Sequence, residues 1–336
     1  MRRYLDKLHS KENLTESEME EVMDTIMSGE AIKEEVASFL IALREKGPTV
    51  AEITGAARIM RRFVVGIKSD HKVVLDTCGT GGDKSGTFNI STCTAFVVAG
   101  AGVAVAKHGN RSVSSKCGSA DILEGLGVNL DIPAERVEQC LNDVGIAFLF
   151  AQRHHPAMKN VAAIRKELGV ETIFNVLGPL TNPAQATHQM IGVYHRRLVE
   201  PMARVLSNLG LRRALVVHGS DGLDEITTTG PTHFCEYNGE DLLSYDISPE
   251  EIGLPVASPE DLKGGNLDEN LRIFSAILDG EQGPRRDIVL LNAAYALYLS
   301  EKVTSIEDGL RLAAASVDDG RARAKLEALK EFTHAE

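Results

Sequence analysis

The segment Asp76-Thr-Cys-Gly-Thr-Gly-Gly-Asp83 carries the strongest chemical signal in the chain. An apolar run, Val73-Val-Leu75, precedes it and reads as a buried strand. Thr87-Phe-Asn-Ile-Ser-Thr92 follows and opens a long apolar helix. Strand, glycine loop and helix start together present backbone N–H groups to a phosphate. Glycine lets that backbone approach an anion and take positive φ. The loop matches neither common phosphate signature. The pattern G-x-G-x-x-G would start at Gly79 and Gly81 but meets Lys84, and the Walker pattern would need glycine at Asp83, just before Lys84-Ser85. A carboxylate is built into this phosphate loop instead.

Further chemistry-bearing segments follow. Lys107-His-Gly-Asn-Arg111 comes after a short β-branched run, so its cations lie at a strand end, where ligands sit in open α/β sheets. Taken alone, the pentapeptide is equally a solvated turn. Ser112-Val-Ser-Ser-Lys-Cys-Gly-Ser-Ala-Asp121 offers hydroxyls and amides, with Gly118 at a helix start; it also reads as a run of helix-capping serines. Arg165 has the fork that grips a carboxylate, but in Arg165-Lys-Glu167 its neighbours alone favour a surface arginine. Asn175-Val-Leu-Gly-Pro-Leu-Thr-Asn-Pro183 is dense in turn formers and suits a rigid pocket wall or a plain connector. Asp221-Gly-Leu-Asp-Glu225 places two carboxylates side by side. In a loop, Asp224 and Glu225 can address one hard cation; in a strand they would face opposite ways. A thiol–imidazole pair of Cys117 and His108 has nothing to orient it, and no G-x-S-x-G elbow occurs.

The elements that must hold these residues are legible in outline. The first ~70 residues read as helical. Thr15-Glu-Ser-Glu18 and Thr49-Val-Ala-Glu52 are capping boxes; the first helix stops at Gly29 and the second runs towards Gly66. Between them Ile32, Val36, Phe39, Leu40 and Leu43 mark the apolar face of a helix ending at Gly47-Pro48. From Val73 onward, short β-branched runs (103–106, 146–150, 191–194, 214–218) alternate with helical periods, the pattern of a largely parallel sheet covered by helices. Asn238-Gly239, between two strand-like runs, predicts an antiparallel hairpin. Helices are expected near 266–280, 284–300, 305–316 and 319–331, and a helical island over 156–168 and 172–176. The fold class is therefore α/β: a large α/β domain with a mostly parallel central sheet, plus a small all-helical domain. The expected division is 1–70, joined by the island at about 156–182, against 71–155 and 183–336.

Composition narrows the classes. The chain has 336 residues, 43% hydrophobic and 25% charged, as an ordinary globular protein does. A net charge of −12 and the absence of Trp argue against nucleic acid as a partner. The run from Ala95 to Ala106 is too short to span a bilayer, and Met1 to His9 lacks a signal-peptide core. Five widely spaced cysteines with no C-x-x-C fit a cytoplasmic location.

Each motif is ambiguous alone, but their order and combination are specific. Gly79 to Asp83, Thr87 to Thr92, Lys107 to Ser115, Gly118 to Asp121, His154-His-Pro-Ala-Met158, Asn175 to Ala184 and Asp221 to Glu225 closely resemble the anthranilate phosphoribosyltransferases of tryptophan biosynthesis, essentially end to end. The resemblance implies a cleft between the two domains, a cytoplasmic homodimer built mainly through the small domains, and transfer of a phosphoribosyl group to anthranilate. It implies that Gly79, Gly82, Asp83, Thr87, Asn89, Ser91, Thr92, Lys107 and Ser119 bind phosphoribosyl pyrophosphate. Ser91, Asp224 and Glu225 would hold Mg²⁺, two ions per site. Gly79, Asn110 and Arg165 would hold anthranilate, with His108, His155, Gly178 and Pro179 shaping its path. Cys117, Gln152-Arg153 and Glu171 depart from the usual residues of the family. A pyrimidine nucleoside phosphorylase-like enzyme would need neither the paired acids nor the 175–184 loop. A non-catalytic nucleic-acid-binding relative would lack the acid pair and carry a basic surface.

Overall fold

The computed structural model describes residues 1–83, 85–111 and 117–335. Lys84 and the stretch Ser112 to Lys116, singled out above, lie outside the described residues.

The chain opens with α1 (Arg2–His9), α2 (Glu16–Ser28), α3 (Lys33–Lys46) and α4 (Val50–Arg62). Both expected capping boxes form: Thr15 and Thr49 side chains accept the Glu18 and Glu52 N–H groups, whose carboxylates bond back. Gly29, at φ +83°, closes α2. Helix α4 stops at Arg62, short of Gly66. Val36, Phe39, Leu40 and Leu43 are buried as their spacing predicts, but Ile32 is 59% exposed. It is the residue before the first turn of α3, so its side chain falls outside the helical stripe.

Seven strands form one sheet among the described residues: β1 (Val74–Gly79), β2 (Ala104–Gly109), β3 (Ile146–Phe150), β4 (His188–Gly192), β5 (Arg213–Gly219), β6 (Thr232–Tyr237) and β7 (Leu242–Ile247). Their order is β3-β2-β1-β4-β5-β6-β7. The first five run parallel and the last two antiparallel. The expected hairpin forms around residues 238–241, with the Asn238 side chain accepting the Glu240 and Asp241 N–H groups. Strand β4 starts three residues before the apolar run at Ile191, because His188 and Gln189 are buried strand residues despite their polarity.

The remaining helices are α5 (Ile90–Gly100), α6 (Ser119–Gly125), α7 (Ala134–Val144), α8 (Ala151–His154), α9 (Lys159–Leu168), α10 (Phe174–Leu177), α11 (Val199–Asn208), α12 (Leu267–Leu278), α13 (Pro284–Leu299), α14 (Ile306–Asp318) and α15 (Arg321–His334). The strand pleat sorts them into two cores. Leu215 and Val217 of β5 face α5 and the C-terminal helices. Ala214 and Val216 face the other way, into a core shared by α1 to α4, α9, α10 and α11.

Strands β2 and β3 are laid to one side of β1, and β4 then returns to its other side. That reversal opens a crevice beyond the carboxyl ends of β1 and β4, the usual binding place in such sheets.

Candidate active site

The crevice floor is made of two glycines. Gly79 and Gly192 end β1 and β4 as register partners. Asp224, from the loop after β5, lies across both. A Cβ on Gly79 would collide with the Asp224 carboxylate, and a Cβ on Gly192 with the Asp224 backbone carbonyl. Beyond Gly79 the chain turns through Gly81 at φ +68° and Gly82 at φ +85°, conformations that favour glycine. The Gly81 N–H donates to Asp224 Oδ2 at 2.7 Å. Asp83 accepts a hydrogen bond from the Ser85 hydroxyl at 2.5 Å. Thr87 pairs with Lys263, and the Gly264 N–H donates to the Gly86 carbonyl at 2.9 Å. The segment 262–264, which carries no sequence signal, thus pins the far end of the loop.

Asn89 caps the start of α5. Its Nδ2 donates to the Cys117 carbonyl at 3.1 Å, while its buried Oδ1 has no hydrogen-bond partner among the described residues. In the first turn of α5, the Ser91 N–H donates to Glu225 Oε1 at 3.1 Å. Thr92, next to it, is buried. Lys107 Nζ donates to the Thr77 carbonyl at 2.6 Å and the Ser91 hydroxyl at 3.4 Å. The ammonium is therefore buried and held by the protein itself. Ser119 starts α6, and its hydroxyl donates to the Asn110 carbonyl at 3.3 Å; Gly109 leaves the room it needs.

Burial raises both acids well above the ordinary carboxylate range, helped at Asp224 by the charge of Asp83 and at Glu225 by that of Asp224. Burial also lowers Lys107, opposed chiefly by Asp76. The acid pair is held in its charged form only at a cost, which a hard cation would remove. Among the described residues no three His, Cys, Asp or Glu side chains converge on a metal position. The donor set fits a Mg²⁺ ion bound by one or two carboxylates, with phosphate oxygens and water completing its shell.

Of the acceptor residues expected from the sequence, hydrogen bonds join His108, His155, Gly178 and, through Gln189 and Asp76, Pro179. His108 and His155 meet Nε2 to Nε2 at 3.1 Å. Burial lowers both: His155 to about 4 with help from His154, and His108 well below the usual range with help from His155. Both rings are neutral at pH 7. His108 also bonds the Gly178 backbone. Pro179 offers its carbonyl to Gln189 Nε2 at 2.5 Å, and Gln189 also donates to Asp76 Oδ2 at 3.0 Å. Asp76 Oδ1 accepts the His108 N–H at 3.1 Å. One buried carboxylate and one buried amide thereby tie β1, β2 and β4 to the 178–180 turn. Arg165 lies over the Phe174 ring at 5.3 Å, half-buried, in the helix pair that leads directly into Gly178. It has no ion-pair partner among the described residues. Asn110 is exposed, and its Oδ1 accepts from the Arg111 N–H at 2.8 Å and from Gln152 Nε2 at 3.5 Å. Burial pushes the Cys117 thiol up, against a hydrogen bond with Asn270, which disfavours the thiolate a nucleophile needs.

The chain matches the glycosyl transferase family twice: its helical bundle domain over residues 2–64 and its α/β domain over residues 71–323. It is 54% identical to the anthranilate phosphoribosyltransferase of Symbiobacterium thermophilum, over 99% of this chain and 98% of that one. The crystal structure of anthranilate phosphoribosyltransferase from Thermus thermophilus superposes with a TM-score of 0.94 at 44% identity, covering 99% of each chain. That of the Saccharomyces cerevisiae enzyme in complex with phosphoribosyl pyrophosphate and Mg gives 0.91 at 28% identity, covering 98% of this chain and 97% of that one. Since the likeness runs unbroken through the helical bundle and the α/β part alike, the chain belongs to the anthranilate phosphoribosyltransferase family.

Proposed function

We propose that the crevice beyond β1 and β4 is where the phosphoribosyl group of phosphoribosyl pyrophosphate passes to the amine of anthranilate, giving N-(5-phosphoribosyl)anthranilate and pyrophosphate for tryptophan synthesis. One observation carries the reading. Asp224 and Glu225 are docked on the amides of Gly81 and Ser91, so an acid pair sits against the very backbone that forms the phosphate loop. Mg²⁺ held there by Asp224, Glu225 and Ser91 would offset the charge that grows on pyrophosphate as the C1–O bond breaks. Each acid leans on a different element, which supports two ions per site.

The chain's own residues supply the rest. Gly79 to Asp83, Thr87, Asn89, Thr92 and Ser119 surround the diphosphate and ribose. Asn89 Oδ1, buried and without a hydrogen-bond partner among the described residues, is suited to a ribose hydroxyl. Lys107 stays beneath the acids and balances their charge from below. An arylamine is neutral at pH 7 and needs no strong base, so orientation dominates. The neutral His108–His155 pair can orient the ring without setting a positive charge beside the amine. Arg165, without an ion-pair partner among the described residues, takes the anthranilate carboxylate, and Asn110, Gly178 and Pro179 close the acceptor side.

The helical unit in this reading is 1–70 joined by 156–182, supported by the packing of α9 on α2 and α3. The unit would also carry the contact between the two copies of a homodimer. No helix among the described residues is long and apolar enough to cross a membrane. A cytoplasmic location fits the odd, widely spaced cysteines.

The test is loss of anthranilate fluorescence on adding phosphoribosyl pyrophosphate and Mg²⁺. Full activity after chelation would remove the metal from the reading.

A further inference from the structure

Asn292 stands in the middle of α13, fully buried in the run Ile288-Val-Leu-Leu-Asn-Ala-Ala294. An asparagine is a poor choice for a buried helix interior, since its side chain competes with the backbone and must be satisfied. Here it is satisfied almost entirely by the backbone of one distant residue. Its Oδ1 accepts the Ile226 N–H at 3.1 Å, and its Nδ2 donates to the Ile226 carbonyl at 2.8 Å. The same Nδ2 donates to the Ile288 carbonyl one turn back, at 2.8 Å. The amide grips both polar groups of Ile226 as a neighbouring strand would, although no strand runs there.

Ile226 directly follows Glu225. Among the described residues, the carboxylates of Asp224 and Glu225 each hold a single hydrogen bond to another segment, from the Gly81 and Ser91 N–H groups. Two like charges packed side by side on an irregular loop tend to separate. The loop is braced on either side of the pair. Asp221 accepts from the Leu223 N–H at 3.1 Å and from the Thr227 and Thr229 hydroxyls at 2.7 and 2.6 Å. Asn292 holds the residue immediately after the pair.

We infer that Asn292 is a positioning residue for the acid pair: by fixing the Ile226 peptide it fixes where Glu225 points, and so sets the affinity of the site for Mg²⁺. The inference rests on the metal role given to Asp224 and Glu225 above. Residues that orient metal-binding groups typically change metal affinity about 10–100-fold when removed.

The test compares Asn292→Leu, Asn292→Asp and Glu225→Gln in the full-length protein. Two readouts are taken against Mg²⁺ concentration: activity, and the rise in melting temperature given by Mg²⁺ with phosphoribosyl pyrophosphate. Asn292→Leu is expected to move both Mg²⁺ midpoints upward about tenfold or more, with the anthranilate KM within about twofold of the parent. Asn292→Asp keeps the length and the acceptor for the Ile226 N–H but loses the donated bonds. Its second oxygen then faces the Ile226 and Ile288 carbonyls, so it should shift the midpoints in the same direction by at least as much as Asn292→Leu, and melts without Mg²⁺ show that each variant folds. Glu225→Gln should shift them as well. Unmoved midpoints in the Asn292 variants beside shifted ones in Glu225→Gln would overturn the inference alone. So would an equal loss towards Mg²⁺ and anthranilate, which marks general damage to the core. Unmoved midpoints in Glu225→Gln would overturn the metal reading and this inference with it.

Discussion

The Asp224 carboxylate occupies the space that a side chain on Gly79 would need. Glycine at this strand end is thus required by a neighbour and not by its own backbone, whose φ is ordinary. Gly79→Ala should push the Asp224 side chain aside. A displacement of this kind costs about 10²-fold in activity, with stability lowered by about 1 kcal/mol or less because the obstacle is a side chain. Gly192→Ala meets the Asp224 backbone instead and should cost about 1–3 kcal/mol of stability. Urea melts and steady-state rates on the two variants check the contrast; equal stability losses would refute it.

Arg165→Ala removes a guanidinium that stacks on Phe174 and has no ion-pair partner among the described residues. The expected loss is about 1–3 kcal/mol in anthranilate binding, the scale of a charged hydrogen bond, with phosphoribosyl pyrophosphate nearly unaffected. Separate KM values for the two substrates decide it. A parallel loss in both would mean that Arg165 serves the fold.

Asp224→Asn and Glu225→Gln should each lower kcat/KM by about 10²-fold or more, the scale of one electrostatic stabiliser. The double variant should lose far less than the product, since groups that serve one metal cluster are not additive. Raised Mg²⁺ should partly rescue the single variants. In chelator, the melting temperature of each should equal or exceed that of the parent, because burial makes both charges unfavourable to the fold. Multiplicative losses without metal rescue would separate the two acids.

Acid should destabilise the protein through its histidines. Burial lowers His155 to about 4, so below the ordinary histidine value the unfolded chain binds a proton that the folded chain refuses. Stability from this residue is full above about pH 6.5 and falls as pH drops towards about 4, by up to about 2–3 kcal/mol. Buried His108 and His154, lowered for the same reason, act in the same direction. His155→Gln should flatten the pH dependence of the urea midpoint over that window; an unchanged slope would show that His155 is not the titrating group.

Signals confined to a few neighbouring residues are legible in the sequence. The capping boxes at Thr15 and Thr49, the hairpin at Asn238 and the strand at Ile146–Phe150 all follow from local rules, and all form. The glycine loop and the acid pair are recognisable for the same reason. What stays hidden is the reach between segments. Asp76 bonds to Gln189, Lys263 pairs with Thr87, and Asn292 holds Ile226, each across many residues with no periodic cue. The polar pair His188-Gln189 inside β4 is the one available hint, since a buried strand admits such residues only when they are bonded. Ile32 departs from its expected burial because a helix boundary shifted by a single residue moves a side chain off its face.

The core of α1 to α4 has a consequence for how the chain acquires its shape. Its lining includes Val161, Ile164, Val199, Leu206 and Val216, which come late in the sequence. On a ribosome the N-terminal helices emerge first, yet they cannot close their apolar interior until more than half of the polypeptide has been made. Their early exposure calls for shelter, by a chaperone or by one another. A fragment ending near residue 70 should behave as a sticky, fluctuating collapsed state and not as an independent bundle.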